Sequence, residues 1–258
     1  MHRFGDPAGA PLLALHGVTG HGRTYRPLAT DGLPERRWLA VDLRGHGRST
    51  WDAPWSAEQH VWDILETMDT ERVDVFDVVG HSFGGLLATR LAATVPDRVG
   101  RAALLDPAIA LDAHDMLETA EDTLRDSGWA SREEALEERT AGLSEQAARF
   151  ALADSDVLER GDDGRWRMPY CRPAVITAWS EMAYPTASVA AFPGELLLLP
   201  AGREDVVGPH VVEALRADLG DRLTVQRMDA GHMVYWDAFE DTVHALRRFL
   251  GVGVGPRE

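Results

Sequence analysis

The chain has 258 residues, and its 42 acidic residues against 26 basic ones give a net charge of −16, with 45% of the residues hydrophobic. This length supports one globular domain whose core needs no disulfide or structural metal, and the charge disfavours binding to nucleic-acid phosphates. All basic residues are arginine and cysteine occurs once, which excludes a Walker A loop, a Schiff-base lysine for pyridoxal phosphate, an internal disulfide and a cysteine-based zinc cluster.

The N-terminal residues contain no apolar segment of the kind that a signal peptide requires. Elsewhere the longest uninterrupted hydrophobic run is four residues, whereas a membrane-spanning helix needs about 20. We therefore expect a cytoplasmic protein that neither crosses nor binds a membrane.

The first 106 residues alternate short apolar runs with glycine, proline and longer helical stretches, a pattern typical of a mostly parallel sheet flanked by helices. Near-continuous apolar runs suit strands that are buried on both faces. The predicted strands of this half are 11–15, 38–42, 73–79 and 102–106.

The composition changes after residue 107. Residues 112–163 hold 16 acidic residues and 5 arginines, and helix-spaced apolar positions run through them, which predicts amphipathic helices with a solvated acidic face. The βα pattern returns with predicted strands at 195–200 and 223–228 and helices at 209–219 and 238–250. We therefore predict a single domain over residues 1–258, with core segments 1–106 and 195–258 and a helical insertion at 107–194.

A pentapeptide of the form G-x-S-x-G lies between an apolar strand and a helical run. Its residues are Gly80, His81, Ser82, Phe83 and Gly84. On such a strand-to-helix turn the serine hydroxyl stands above the sheet, and glycine is needed where a side chain would clash. The pattern therefore predicts that Ser82 is a nucleophile.

A serine hydroxyl reacts only when a base takes its proton, and a carboxylate usually orients that base. His232 is the predicted base, because it lies in a loop directly after the last predicted strand. Asp205 is the predicted acid, since it follows strand 195–200 and completes the chain order Ser, Asp, His. Asp106, at the end of strand 102–106, is the main alternative, and Glu204 is a weaker one.

The other histidines are weaker candidates for the catalytic base. We expect His81 to point away from the reacting centre, and we interpret His16 and His46, which precede glycines, as parts of structural turns. No H-E-x-x-H pair is present, and the sequence predicts neither a metal site nor a cofactor.

Taken together, these motifs resemble those of the α/β-hydrolase fold superfamily, in particular its serine carboxylesterases and lipases. The resemblance covers nearly the whole chain and includes His16-Gly17, the segment 42–49, the turn at Ser82, Gly202 to Asp205, and Gly231-His232. Only fifteen residues precede His16, so we expect the first strand of the family's sheet to be missing or very short.

This resemblance implies further functional residues. The backbone N–H groups of Val18 and Phe83 would form an oxyanion hole. The insertion would act as a lid, with an apolar substrate pocket that we expect to include Trp129, Trp179, Met182 and Tyr184.

The sequence accordingly predicts a serine hydrolase that acts on a small to medium, uncharged carboxylic ester. The same three catalytic residues would also serve a carbon–carbon, lactone or thioester hydrolase. The fold further hosts lyases, cofactor-free haloperoxidases and ligand receptors, which stay open as alternatives.

Overall fold

A computed structural model describes residues 1–185 and 187–252 of the chain. Residue 186 of the predicted insertion and residues 253–258 of the predicted domain lie outside the described residues. No helix within the described ranges is both long enough and apolar enough to cross a bilayer.

The central sheet is seven-stranded within the described ranges. Its strands are β1 (His2–Gly5), β2 (Pro11–Leu15), β3 (Arg37–Val41), β4 (Phe76–His81), β5 (Val99–Leu105), β8 (Glu195–Leu199) and β9 (Leu223–Val225). They follow the spatial order β1-β3-β2-β4-β5-β8-β9, and every pairing is parallel except that of β1 with β3. This arrangement confirms the predicted fold class, and β1 is the very short first strand that was expected.

Helices cover both faces of the sheet. The helices outside the insertion are α1 (Ala57–Thr70), α2 (Phe83–Thr94), α7 (Pro209–Leu219), α8 (Val234–Asp237) and α9 (Phe239–Phe249). Alternate residues of β2 point into two separate clusters: Leu13 packs on the side of α1 and α2, and Leu12 packs on the side of α9. Burial on both faces explains why these strands are apolar throughout.

In its described residues, the chain between β5 and β8 forms four α-helices, a single turn of 3-10 helix at Ser155–Val157 and a small hairpin. These elements are α3 (Ala113–Arg125), α4 (Arg132–Thr140), α5 (Glu145–Ala153), β6 (Glu159–Arg160), β7 (Trp166–Arg167) and α6 (Arg172–Met182). Helix α3 buries none of its residues and α4 buries only Ala135, as expected for helices with a solvated acidic face.

The strand register places the candidate site at one edge of the sheet. Gly80 of β4 lies opposite Leu15 of β2 and Leu104 of β5, so the residues that follow these three strands are neighbours. Because carboxyl ends of parallel strands share an edge, the loop after β2, Ser82 and Asp106 meet there.

Candidate active site

Ser82 lies on a sharp turn between β4 and α2. Its backbone has φ of 54° and ψ of −120°, a conformation that costs energy for any residue with a side chain. A Cβ on Gly80 would stand 2.2 Å from the Gly84 carbonyl oxygen, and one on Gly84 would stand 2.0 Å from the Leu15 carbonyl oxygen. Glycine at both positions therefore permits the close packing that holds the serine in this strained turn.

His232 is held by Asp106. The Nδ1–H of His232 donates to Asp106 Oδ2 over 2.6 Å, and the other oxygen, Oδ1, accepts from the Ala201 N–H over 2.8 Å. Asp106 is fully buried, while the His232 side chain is 30% exposed. Since the carboxylate fixes the proton on Nδ1, Nε2 is left as the basic nitrogen of the ring.

Asp205 does not reach this histidine, so its prediction as the orienting acid is wrong. Its side chain is 97% exposed and lies 3.5 Å from Arg227. The chain leaves β8 through residues bonded to the 228–230 segment, and this path turns Asp205 outward. Glu204 is closer, but its Oε1 accepts from the backbone N–H of His232 rather than from the ring. The alternative acid, Asp106, is the one that the structure places against the ring.

His81 also differs from expectation, because its ring lines the same cavity as Ser82. Its Nε2–H donates to the His232 carbonyl over 2.9 Å, and the two rings lie 4.6 Å apart between centroids. Burial lowers the pKa of His81 well below its ordinary value, and the proximity of His232 lowers it further. His81 is therefore a neutral ring that supports the loop carrying His232.

The loop after β2 lies against the serine. A Cβ on Gly17 would stand 3.2 Å from Ser82 Cβ, so the next residue, Val18, is also close to the turn. Within the described ranges the Val18 N–H has no hydrogen-bond partner in the chain, and Phe83 is the first residue of α2, where helix N–H groups lack an intrahelical acceptor. Both predicted oxyanion-hole amides thus lie beside Ser82.

Two buried histidines, His16 and His46, hold that loop by hydrogen bonds, which agrees with their interpretation as parts of structural turns. His16 donates from Nδ1 to the Gly17 carbonyl over 2.7 Å and accepts the Leu43 N–H at Nε2 over 3.0 Å. His46 donates from Nε2 to the Val18 carbonyl over 2.5 Å. Burial lowers the pKa of both rings, so they are neutral and can provide these bonds.

A cavity of about 540 Å³ opens in front of Ser82 and His232. Its lining is largely apolar, and much of it comes from the chain between β5 and β8, namely Trp129, Leu143, Met168, Tyr170 and Trp179. A cavity of this size and character suits a small organic molecule.

The predicted pocket residues divide into two groups. Trp129 and Trp179 line the cavity as predicted. Met182 does not, because the last turn of α6 packs it fully buried into the core, and Tyr184 lies beyond the helix with 57% of its surface exposed. These two predictions are wrong, since spacing alone did not show which side of α6 faces the cavity. Trp236 lines it instead.

No three His, Cys, Asp or Glu side chains in residues 1–185 and 187–252 are grouped so that they could hold a metal ion. The groups that the structure places at the site are Ser82, the pair of His232 and Asp106, and the backbone N–H groups of Val18 and Phe83.

Several known proteins are similar to this chain in sequence or in structure. The family model described as the alpha/beta hydrolase fold matches residues 10–239. Lipase LipV of Mycobacterium tuberculosis is 34% identical over 97% of both chains, and esterase YbfF of Escherichia coli is 26% identical over 93% of both. A marine microorganism esterase superposes with a TM-score of 0.79 at 19% identity, covering 96% of this chain and 97% of that one.

Proposed function

Because the chain belongs to the α/β-hydrolase fold family, we propose that it is a serine hydrolase that cleaves a small to medium, mostly apolar carboxylic ester through an acyl-enzyme. The observation that carries this proposal is the pairing of His232 with buried Asp106 at the wall of the cavity that Ser82 lines. The names of the two sequence relatives, a lipase and an esterase, support the ester bond as the target.

In the proposed acylation step, Ser82 Oγ attacks the ester carbonyl while His232 Nε2 takes its proton. Negative charge then develops on the carbonyl oxygen, where the N–H groups of Val18 and Phe83 donate hydrogen bonds to it. Asp106 stabilises the imidazolium through the Nδ1 hydrogen bond. When the carbon–oxygen bond breaks, His232 returns the proton to the leaving alcohol.

Deacylation repeats the sequence with water. His232 removes a proton from a water molecule, the hydroxide attacks the acyl carbonyl, and collapse of the intermediate returns the proton to Ser82 Oγ. The products are a carboxylic acid and the regenerated serine. His81, which donates to the His232 carbonyl, keeps the base in place through both steps.

We also propose that the insertion at residues 107–194 serves as a lid over the site. Its support is that Trp129 and Trp179 line the cavity together with residues at the carboxyl edge of the sheet. Trp179 is itself fixed by a hydrogen bond from its Nε1 to Thr123 Oγ1 over 3.0 Å, which joins α6 to α3. Such a cover would shield the acyl-enzyme from bulk water and set the size of the acyl group.

The experiment that tests the function measures initial rates on p-nitrophenyl esters of increasing acyl length for the wild type and Ser82→Ala. We expect turnover with an optimum at short to medium chains, and a loss of at least about 10⁴-fold in kcat for the variant. Circular dichroism establishes that the variant is folded. A folded Ser82→Ala protein with unchanged turnover would refute the proposal.

A further inference from the structure

The wall of the cavity in front of Ser82 contains a cationic side chain. Arg139, on α4 of the insertion, is the only arginine, aspartate or glutamate among the lining residues of the described ranges. Apart from histidines, the remainder of the lining is uncharged, with aromatic and aliphatic side chains predominating. A cation in such surroundings interacts strongly with an anion, because the local dielectric constant is low.

The guanidinium of Arg139 lacks a partner within the described residues. Its Nη1 is buried without a hydrogen bond, and among the described residues no ion pair joins the guanidinium to a carboxylate. Neighbouring arginines of the insertion differ, since Arg132 donates to Ser155 and Arg149 to Glu145. Arg139 is half-buried, and a partly desolvated charge without a partner favours the binding of a counter-ion.

The negative charge of Asp154 acts on Arg139, but the Asp154 carboxylate lies within ion-pair distance of His21 and Arg23 instead. Its Oδ2 lies 2.9 Å from His21 Nε2, and its Oδ1 lies 3.5 Å from Arg23 Nη2. Burial lowers the pKa of Arg139 while the charge of Asp154 acts against this, and an arginine remains protonated at neutral pH. The cation is therefore present and available inside the cavity.

We propose that Arg139 determines specificity by binding a carboxylate of the substrate, so that the preferred ester carries a free carboxylate remote from the scissile bond. This inference rests on the proposed ester hydrolysis and names its substrate class, which differs from the uncharged ester that the sequence predicts. A guanidinium presents two parallel N–H donors to the two oxygens of a carboxylate, which is the geometry it pairs with best. The apolar lining between Ser82 and Arg139 would hold the intervening carbon chain.

The test compares mono-p-nitrophenyl adipate, which has a free carboxylate, with p-nitrophenyl hexanoate, which has the same chain length and no charge. In wild type we expect the adipate ester to have the higher kcat/KM. In Arg139→Gln the adipate-to-hexanoate ratio should fall by at least about 10-fold, mainly through KM, because a charge-assisted hydrogen bond is lost. Arg139→Lys should retain part of the preference.

Arg149→Gln is the matched control, because it removes the same charge from the exposed face of α5 and should leave the ratio unchanged. An unaltered ratio in Arg139→Gln, or an equal loss on both esters, would overturn the inference. Should that variant fail to fold, wild-type inhibition by adipic acid monoamide is compared with inhibition by hexanamide. Equal inhibition by the two would also overturn the inference.

The two proposals fail separately. If the hexanoate ester is cleaved in a Ser82-dependent manner but the adipate-to-hexanoate ratio is the same in wild type and Arg139→Gln, only the carboxylate preference is wrong. If neither ester shows Ser82-dependent turnover, the proposed function itself is wrong.

Discussion

The choice of acid shows what single residues in the sequence leave undecided. Asp106 and Asp205 both follow an apolar strand, and parallel strands deliver their ends to the same edge of the sheet. Which carboxylate turns inward depends on backbone angles, such as the φ of 44° at Asp106, that a sequence does not reveal. One signal did exist: Asp106 directly follows the apolar residues 102–105, whereas Asp205 stands beside Arg203 and Glu204.

We predict that Asp106→Asn lowers kcat for p-nitrophenyl butyrate by about 10³ to 10⁴-fold, because an amide no longer stabilises the imidazolium or selects the Nδ1–H tautomer. Asp205→Asn is the matched control. Its exposed side chain should matter little, leaving kcat within about twofold of wild type. A larger loss in Asp205→Asn than in Asp106→Asn would contradict the assignment.

At the scale of elements, the sequence predicted β2 and α7 with the bounds that the structure shows, because proline and glycine mark their ends. Strand β9 was predicted too long: it ends at Val225, and the chain continues along β8 through single contacts such as Ala201 with Met228. Met182 and Tyr184 were misplaced for a related reason. Which face of a helix is buried depends on the elements that it packs against, and tertiary packing is not visible in the spacing of residues along the chain.

At the junction of β4 and α2, the close contact between Gly84 and β2 limits which side chain the turn can hold. Alanine usually stabilises a helix by about 1 kcal/mol relative to glycine, yet Gly84→Ala should destabilise this protein by about 2 kcal/mol or more. The cause is steric, since the new Cβ would stand 2.0 Å from the Leu15 carbonyl oxygen. Urea unfolding followed by circular dichroism measures the difference in the free energy of unfolding.

Gly142→Ala is the control for this substitution. Gly142 has a positive φ of 75° but nothing within 4 Å of an added Cβ, so only backbone strain of about 1 kcal/mol is expected. If Gly84→Ala proved as stable as wild type, or less affected than Gly142→Ala, the close contact between α2 and β2 would not limit this turn.

At the scale of the whole molecule, charge is distributed unevenly. Residues 112–163 contain 16 acidic residues and 5 arginines, and therefore carry most of the chain's net charge of −16. Helix α3 is exposed to solvent, whereas the part of the cavity lining that the structure describes contains a cation, Arg139. The acidic composition of the insertion therefore describes its outer surface and does not predict the charge inside the cavity.

The fold and the meeting of Ser82 and His232 at one cavity could be predicted because each depends on local rules: apolar strands, a glycine-flanked turn and a loop after the last strand. The carboxylate that contacts His232 was indicated only by its place directly after an apolar run, and half of the pocket lining and the position of Arg139 were not indicated at all. Each of these depends on how separate segments pack around the cavity, and a regular sequence pattern carries no record of that arrangement.

Covalent modification by an organophosphate tests whether Ser82 is the nucleophile of the proposed reaction. Wild-type protein is incubated with diisopropyl fluorophosphate, which transfers its phosphoryl group to an activated serine with loss of fluoride, and is then analysed by intact-mass spectrometry and peptide mapping. We predict one added group per chain, located on Ser82 although the chain has nine serines, and none on a folded Ser82→Ala variant. Modification of another serine, or none in the folded wild type, would show that Ser82 is not the nucleophile.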